Sequence, residues 1–333
     1  MKKEFDLGWG ESVAVRQAFI ETFNGKSVVF DLNTFKNMGY PKHEGDPELV
    51  SLTKQIIKRQ TGNSYKHVFI SNGAAGGVAI ALRALKDKDI NECWTENPPY
   101  FRFYPSIIQA AGLRQVHSSE DKNFFQKHIF LIDSPSNPLG IFSKMKKDLN
   151  GNPIIWDTVY FNKVYCPGKH PKPEHDIAVG SYSKLTGLNG LRVGWIATNN
   201  DILSDKLKTL VTAEYCGIST ASTKIILETA GKFNEKDWIF FEKTANLYLN
   251  YNREEFSKLE KYFGNQPVTG VGMFYYAPVD KHCKKLLEKS GIIWSKGSDL
   301  HHTDDYGRFN MNQDNKLIKQ AVKEILKNDT IKK

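Results

Sequence analysis

The sequence predicts an α/β fold in which a mainly parallel sheet lies between helices and is followed by a smaller α+β unit. Through about the first 200 residues, short apolar runs alternate with longer amphipathic runs, the pattern of strand–helix repeats around a parallel sheet. Beyond that point the runs become long and helical. Hydrophobic residues make up 40% of the 333 residues and charged residues 25%, which is ordinary for a globular protein with a substantial core.

Each element follows from a local pattern. Apolar runs predict strands over residues 66–71, 92–95, 130–134, 153–157, 177–181 and 193–197. A helix is predicted over 47–59, with Asp46 as its N-cap, and another over 74–85. Later helices are predicted over 202–213, 222–232, 238–263, 281–290 and 315–327, with strand-like runs over 272–278 and 292–295. We expect a large domain over 40–210 and a small domain formed by 1–39 and 211–333.

Composition excludes several classes of protein. No run of about 18 apolar residues is present, so we expect no membrane span, and the charged N-terminus does not resemble a signal peptide. The four cysteines lie far apart, which argues against a zinc ribbon or a dense disulfide framework. The formal net charge of +9 suits anionic small molecules, and the basic residues are too dispersed to indicate a nucleic-acid partner. We therefore expect a cytoplasmic protein without a metal site.

The most informative motif begins where the predicted strand 177–181 ends. Ser181 is followed by Lys184, and Arg192 lies eight residues after the lysine, beyond a glycine-rich loop. A lysine at the mouth of an apolar strand can be desolvated, which lowers its pKa and makes its neutral amine a nucleophile. The arginine is a good bidentate ligand for phosphate. On its own, the motif is also compatible with a simple turn between two strands.

Other polar residues follow neighbouring predicted strands. Asp157 ends the strand 153–157, at the sheet edge where α/β proteins bind ligands, and Tyr160 comes three residues later. Asn137 lies in a tight Asn-Pro turn after the strand 130–134. Taken singly, each of these motifs is also compatible with a cap or a turn.

Two further motifs indicate a planar, anionic ligand. Gly73, Ala74 and Ala75 open a helix directly after a strand, which leaves backbone N–H groups available to an anion. Phe101 belongs to an aromatic loop that either stacks on a planar ligand or packs in the core. Together the motifs provide an amine, a carboxylate, a phenol, an amide, an aromatic face and a phosphate cradle. This set suits a phosphorylated pyridine aldehyde acting as an electron sink.

With these motifs, the chain resembles the fold-type I pyridoxal-phosphate enzymes of the aspartate aminotransferase superfamily. The resemblance runs from about residue 6 to 312, and its most specific element is the Ser-x-Ser-Lys…Arg-x-Gly motif. The runs SKLTGLNGLRVGW (183–195), PYFRFYPSI (99–107) and YCGISTAS (215–222) are most similar to the alliinase and tryptophan aminotransferase-related branch. Thr158 departs from the family, which usually has Glu there. The resemblance implies a mainly parallel seven-stranded sheet and pyridoxal 5'-phosphate as cofactor.

The resemblance also implies roles around the cofactor ring. Lys184 would form the Schiff base with the cofactor and then move the proton at the substrate's α-carbon. Asp157 would pair with the pyridine nitrogen, while Tyr160 and Asn137 would hydrogen-bond the ring oxygen. Phe101 would lie on the face of the ring.

The same resemblance assigns the phosphate and the substrate. Ser181, Arg192 and the backbone of residues 73–75 would hold the phosphate. Trp9 and Gly10 would belong to a segment that folds over the substrate, with Asn137 beside it. Arg308 would clamp the substrate's α-carboxylate. Tyr40 would reach the phosphate of the neighbouring subunit, which implies a homodimer with shared sites.

The predicted activity is transfer of an amino group between an L-amino acid and a 2-oxo acid. Trp9, Phe101, Tyr104 and Trp195 hint at an aromatic amino acid, although aromatics near a cofactor are also expected as packing. The nearest alternative is a carbon–sulfur β-lyase acting on cysteine derivatives. A nicotinamide-dependent dehydrogenase would use residues 73–77 and Glu96, but the sequence does not have the Gly-x-Gly-x-x-Gly fingerprint there. A DNA-binding regulator would be expected to carry an added helix-turn-helix segment, and the sequence shows none.

Overall fold

The computed structural model describes residues 4–24, 39, 41–117, 127–146, 151–263 and 270–330. The strands are β1 Phe5–Asp6, β2 His67–Asn72, β3 Glu92–Thr95, β4 Arg114–His117, β5 Ile129–Asp133, β6 Ile154–Asp157, β7 Ile177–Ser181, β8 Val193–Thr198, β9 Phe274–Pro278, β10 Ile292–Ile293, β11 Ser295–Lys296 and β12 Tyr306–Asn310. The helices are α1 Val13–Thr22, α2 Pro47–Thr61, α3 Gly73–Leu85, α4 Tyr104–Ala110, α5 Tyr182–Leu185, α6 Asp201–Tyr215, α7 Thr220–Glu228, α8 Glu235–Ser257, α9 Lys281–Lys289 and α10 Asn315–Thr330.

A seven-stranded sheet forms the centre of the fold, in the order β2-β8-β7-β6-β5-β3-β4. The strands from β3 to β7 pair in parallel, whereas β8 pairs antiparallel with both β2 and β7. The predicted mainly parallel sheet is therefore confirmed. Because β5, β6 and β7 run in the same direction, their last residues, Asp133, Asp157 and Ser181, meet at one edge of the sheet.

Helices cover both faces of this sheet, and the strands are apolar for that reason. Every residue of β6, β7 and β8 is buried. Successive residues alternate between two hydrophobic clusters: Trp156 belongs to the first, where its ring meets Phe161, and its neighbour Ile155 belongs to the second, which contains Val78 of α3. The continuous apolar runs in the sequence thus report burial on both faces.

The remaining strands lie outside the central sheet. β11, β12 and β9 form an antiparallel sheet, and β1 pairs in parallel with β10. A third hydrophobic cluster holds Phe256 of α8, Tyr275 of β9, Phe309 of β12 and Ile318 of α10. This arrangement places Arg308, in the middle of β12, on the side of the molecule that faces the carboxyl edge of the large sheet.

Several element boundaries differ from the sequence prediction. The predicted helix 238–263 begins earlier and ends at Ser257, before a short 3-10 turn at residues 260–262. The helix predicted over 222–232 ends at Glu228, again before a 3-10 turn. The aromatic segment expected as a loop becomes helical from Tyr104. Among the described helices, none is long and apolar enough to cross a membrane.

Candidate active site

A cavity of about 460 Å³ opens at the carboxyl edge of the large sheet and reaches β12. Most of the side chains predicted from separate motifs line it together: Trp9, Gly10, Ala74, Ala75, Phe101, Asn137, Asp157, Tyr160, Ser181, Lys184, Arg192 and Arg308. Gly73 lies just behind this lining, against the Arg192 side chain. Tyr40 falls outside the described residues. Trp195 lies elsewhere: it is buried in the core with its ring against Tyr182, which is the packing role that the sequence left open for it.

Lys184 lies on the short helix α5, directly after β7. Its Nζ donates a hydrogen bond to the carbonyl of Gly10. Burial lowers the pKa of Lys184 to about 8; the charge of Glu11 partly opposes the shift, and the guanidinium of Arg308 adds to it. At neutral to mildly alkaline pH a useful fraction of this amine is therefore uncharged and nucleophilic.

Asp157 ends β6 and faces the cavity. Its carboxylate accepts a 2.9 Å hydrogen bond from the Tyr104 hydroxyl and a 3.0 Å hydrogen bond from the Val159 N–H. Burial raises the pKa of Asp157 to about 6, and these two hydrogen bonds oppose that shift. A cationic ring nitrogen placed here would gain a buried carboxylate partner. Thr158, where the family usually has Glu, instead donates to the Val179 carbonyl at 2.8 Å and fixes the turn after β6.

Asn137 connects Tyr160 to Arg308 across the cavity. Its Nδ2 donates to the Tyr160 hydroxyl at 3.4 Å, and its Oδ1 accepts from Arg308 at 3.1 Å. Its backbone N–H donates to Asp133 at 2.9 Å, which anchors the turn to the end of β5. The amide therefore holds the phenol and the guanidinium at fixed positions relative to each other.

Arg308 is a buried cation, 5% exposed, in the wall of the cavity. Besides Asn137, its guanidinium donates to the Gly8 carbonyl and the Ser295 hydroxyl, each at 3.0 Å, and it lies 4.2 Å from the centre of the Phe274 ring. Its Nε has no partner among the described residues, and none of their carboxylates forms an ion pair with it. A buried guanidinium without a counter-ion is suited to bind an anion from solution.

The opposite end of the cavity provides an anion cradle. Gly73 opens α3 with a positive φ of 66°, and the side chain of the preceding Asn72 does not cap the helix. The Arg192 guanidinium lies against Gly73 and donates to the Ser183 hydroxyl at 3.3 Å. Ser181 donates to the Val193 carbonyl at 3.1 Å beside it. Free helix N–H groups, an arginine and two hydroxyls together suit a phosphate.

These donors fit pyridoxal 5'-phosphate. The anion cradle, the carboxylate of Asp157 and the amine of Lys184 line one cavity, which therefore offers one chemical partner each to a phosphate, a ring nitrogen and an aldehyde. The Phe101 ring also faces this cavity and meets Tyr104 edge-on at 5.3 Å.

The N-terminal segment closes the cavity from above. The Trp9 side chain is 64% exposed, and its carbonyl accepts from Asn310 at 2.7 Å. The carbonyls of Gly8 and Gly10 bind Arg308 and Lys184, so this segment touches both functional cations. The sequence analysis did not identify Tyr104 as a partner of Asp157, and it assigned no role to Ser183 or Ser295. Ser183 lies within the lysine motif and could have been found, whereas Ser295 carries no sequence signal.

Comparison with known proteins agrees with this geometry. Residues 9–325 match the family Aminotransferase class I and II, so the chain belongs to that family. This confirms a fold-type I, pyridoxal-phosphate-dependent transferase, as the sequence predicted.

Individual relatives and solved structures are similar to the chain at low sequence identity. Tryptophan aminotransferase-related protein 2 of Arabidopsis thaliana is 23% identical over 82% of this chain and 70% of its own length. Alliin lyase of Allium cepa var. aggregatum is 28% identical over a shorter stretch, 40% of this chain and 31% of its own. The solved structure of an aromatic aminotransferase from Pyrococcus horikoshii OT3 superposes with a TM-score of 0.75 at 17% identity, covering 100% of this chain and 96% of that one.

Proposed function

We propose that the chain moves an amino group between an L-amino acid and a 2-oxo acid, with Lys184 as the catalytic amine and Arg308 as the carboxylate clamp. The observation that carries this proposal is the buried guanidinium of Arg308, which forms no ion pair with a carboxylate of the described residues and shares one cavity with the amine of Lys184. A clamp of this kind holds the α-carboxylate in place, so the bond to the α-hydrogen is the one exposed to the base.

In this proposal each residue of the cavity has a separate role. When bound, pyridoxal 5'-phosphate supplies an electron sink for the bonds of the substrate's α-carbon. Lys184 removes and returns the proton at that carbon, because its lowered pKa allows the amine to act as a base near neutral pH. Asp157 holds the positive charge at the ring nitrogen. Arg308 and Asn137 orient the carboxylate, while Arg192, Ser181 and the start of α3 hold the phosphate.

Much of the remaining lining is apolar. Trp9, Phe101, Phe103, Ile293 and Trp294 all face the cavity. Such a surface suits a large apolar or aromatic side chain on the amino donor, since burial of that side chain is favourable in proportion to its apolar area. An aromatic amino acid is therefore our first choice of donor.

The absorption spectrum tests this proposal. We expect the purified chain to show a visible band with pyridoxal 5'-phosphate, which one amino acid of a panel bleaches and a 2-oxo acid restores. Lys184→Ala should lose the band and turnover, while Lys206→Ala, a change at an exposed lysine, should keep both. A normal turnover rate in Lys184→Ala would refute the assignment.

The same experiment distinguishes a transaminase from a carbon–sulfur β-lyase. The β-lyase is the second candidate because the chain is similar to alliin lyase. If a cysteine derivative releases pyruvate with no 2-oxo acid present and the visible band persists, the chain is a lyase. Pyruvate should not accumulate if the chain is a transaminase.

We further propose a cytoplasmic homodimer in which Tyr40 of one subunit reaches the phosphate site of the other. The family resemblance supports the shared site. All four cysteines are free, which fits a reducing compartment.

A further inference from the structure

Two aspartates end neighbouring strands at the floor of the cavity. Asp133 is the last residue of β5, Asp157 is the last residue of β6, and the two are register partners in the parallel pair. Register partners project from the same face of a sheet, and both side chains line the cavity. The cofactor roles described above use only Asp157.

Asp133 is incompletely satisfied for a carboxylate. Its Oδ2 accepts from the Asn137 N–H at 2.9 Å, while its buried Oδ1 has no hydrogen-bond partner among the described residues. The side chain is 6% exposed, and no basic group of the described chain forms an ion pair with it. A buried, ionised carboxylate in this position would lack the hydrogen-bond and ion-pair partners that normally compensate for the free-energy cost of its desolvation.

The groups facing Asp133 add further negative potential. Asp157 lies beside it, and the half-buried Glu96 follows β3, the strand on the other side of β5. The nearby phenols of Tyr104 and Tyr160 are neutral, because burial raises the pKa of each well above its ordinary value. Burial raises the pKa of Asp133 as well, and the charges of Asp157 and Glu96 raise it further. Two carboxyl groups in this arrangement cannot both ionise at low cost.

We propose that Asp133 and Asp157 form an acid dyad, which holds one shared proton in the empty site and passes it to the ring nitrogen when the cofactor binds. The proton leaves a carboxyl oxygen and joins the nitrogen lone pair, so the net charge of the assembly is unchanged. Asp133 is a positioning residue in this scheme: as a second carboxylate it strengthens the hold of Asp157 on the cationic ring. This inference rests on the proposed function.

The pH dependence of the holoenzyme spectrum tests the dyad. In Asp133→Asn the amide keeps the acceptor for the Asn137 N–H but never carries charge. Removal of a negative charge disfavours nearby cations, so the pH midpoint of the visible band should fall by about one unit. The dissociation constant of pyridoxal 5'-phosphate at pH 8 should rise about tenfold. Asp176→Asn, the same change at a carboxylate that caps the opposite end of β6, should alter neither value.

A second measurement, which begins with the wild-type chain, tests the dyad even if the variant does not fold. Carbon-13 labelling of the aspartate carboxyls in the cofactor-free full chain should show two coupled titrations, with the upper midpoint above the usual aspartate range. In Asp133→Asn the Asp157 midpoint should fall, since its charged neighbour is gone. Two ordinary midpoints in the wild-type chain would overturn the dyad.

The outcomes also separate the two proposals. If the wild-type chain forms no visible band with pyridoxal 5'-phosphate, the proposed function itself fails. If the wild-type band forms normally and Asp133→Asn leaves its midpoint and the cofactor affinity unchanged, only the dyad fails.

Discussion

Lys184 is desolvated next to two guanidinium groups, and this sets the pH at which its amine becomes reactive. Its pKa lies near 8, below the ordinary lysine value, so the amine is mostly protonated below that pH and mostly neutral above it. We predict that the rate at which the cofactor-free chain captures pyridoxal 5'-phosphate rises with pH and levels off above about 9. Stopped-flow absorbance between pH 6 and about 10 measures this rate.

Pyridoxal 5'-phosphate itself titrates over the same pH range, so the pH series of capture rates needs a reference amine. A model amine such as N-acetyl-lysine, followed under the same conditions, should show its rise more than about one pH unit higher. Coincident profiles for the protein and the model amine would contradict a desolvated Lys184.

Arg308 should control the affinity for the substrate, and its substitution should leave cofactor binding largely unchanged. Arg308→Lys keeps the charge but removes the planar fork that pairs with a carboxylate. We expect kcat/KM for the amino donor to fall about 10- to 100-fold, mainly through KM, because charge-assisted hydrogen bonds are lost. The visible band with pyridoxal 5'-phosphate should persist.

Arg102→Lys is the matched control for this change. Arg102 also lines the cavity, but it is half-exposed and lies over the Phe103 ring at 5.2 Å. Its substitution should change kcat/KM much less than Arg308→Lys does. An equal effect of the two substitutions would show that the cavity has no single carboxylate clamp.

At the scale of single residues, the sequence indicated which side chains share the cavity where chemistry and local position coincide. Lys184 and Asp157 each follow an apolar run, and strand ends converge in a parallel sheet whatever the side chains are. Ser295 could not be found in this way, since it reaches Arg308 only through the register of β11 with β12. Asp133 lies within the predicted strand 130–134, and only the pairing of β5 with β6 places it beside Asp157.

At the scale of elements, the same distinction holds. The buried strands β6, β7 and β8 were visible in the sequence as apolar runs because both their faces are covered. The polar edge strand β4, Arg-Gln-Val-His, pairs only with β3 and leaves little periodic signal. β12 carries Arg308 and Asn310, and the burial of these polar side chains depends on Gly8 and Trp9, which lie 300 and 301 residues away in the sequence.

The start of α3 is an element whose geometry can be tested directly. Gly73 has a φ of 66°, in the region that favours glycine, and a Cβ there would overlap the Arg192 guanidinium. Gly73→Ala should therefore displace Arg192 and raise the dissociation constant of pyridoxal 5'-phosphate about tenfold or more. Equilibrium binding followed by cofactor fluorescence measures this change.

Gly190→Ala provides the comparison within the same loop system. A Cβ at Gly190 meets no heavy atom within 4 Å, and the residue lies two positions before Arg192. We expect cofactor affinity close to that of the wild type. If both glycine variants bind the cofactor normally, the helix start does not hold the phosphate.

At the scale of the whole molecule, we propose that the large domain spans 40–210, with the small domain formed by 1–39 and 211–333. The central sheet lies within the first range, and the third hydrophobic cluster draws on the second. The helix α8 contributes to both hydrophobic regions: Trp238 belongs to the cluster that contains residues of the central sheet, and Phe256 belongs to the third cluster. The helix α8 therefore connects the two hydrophobic clusters.

The proposed dimer makes the sharpest prediction at this scale, because the two subunits would complete each other's sites. In a hybrid dimer of Lys184→Ala with Tyr40→Phe, one site carries both substitutions and the other carries neither, if Tyr40 acts across the interface. The intact site should bind pyridoxal 5'-phosphate with wild-type affinity and support about half of the wild-type turnover rate per dimer. If Tyr40 acts within its own subunit, every site of the hybrid is impaired and only the weakened affinity of Tyr40→Phe remains. Differently tagged subunits, purified as the hybrid and titrated with the cofactor, distinguish the two results, and elution as a monomer in gel filtration would remove the basis for both.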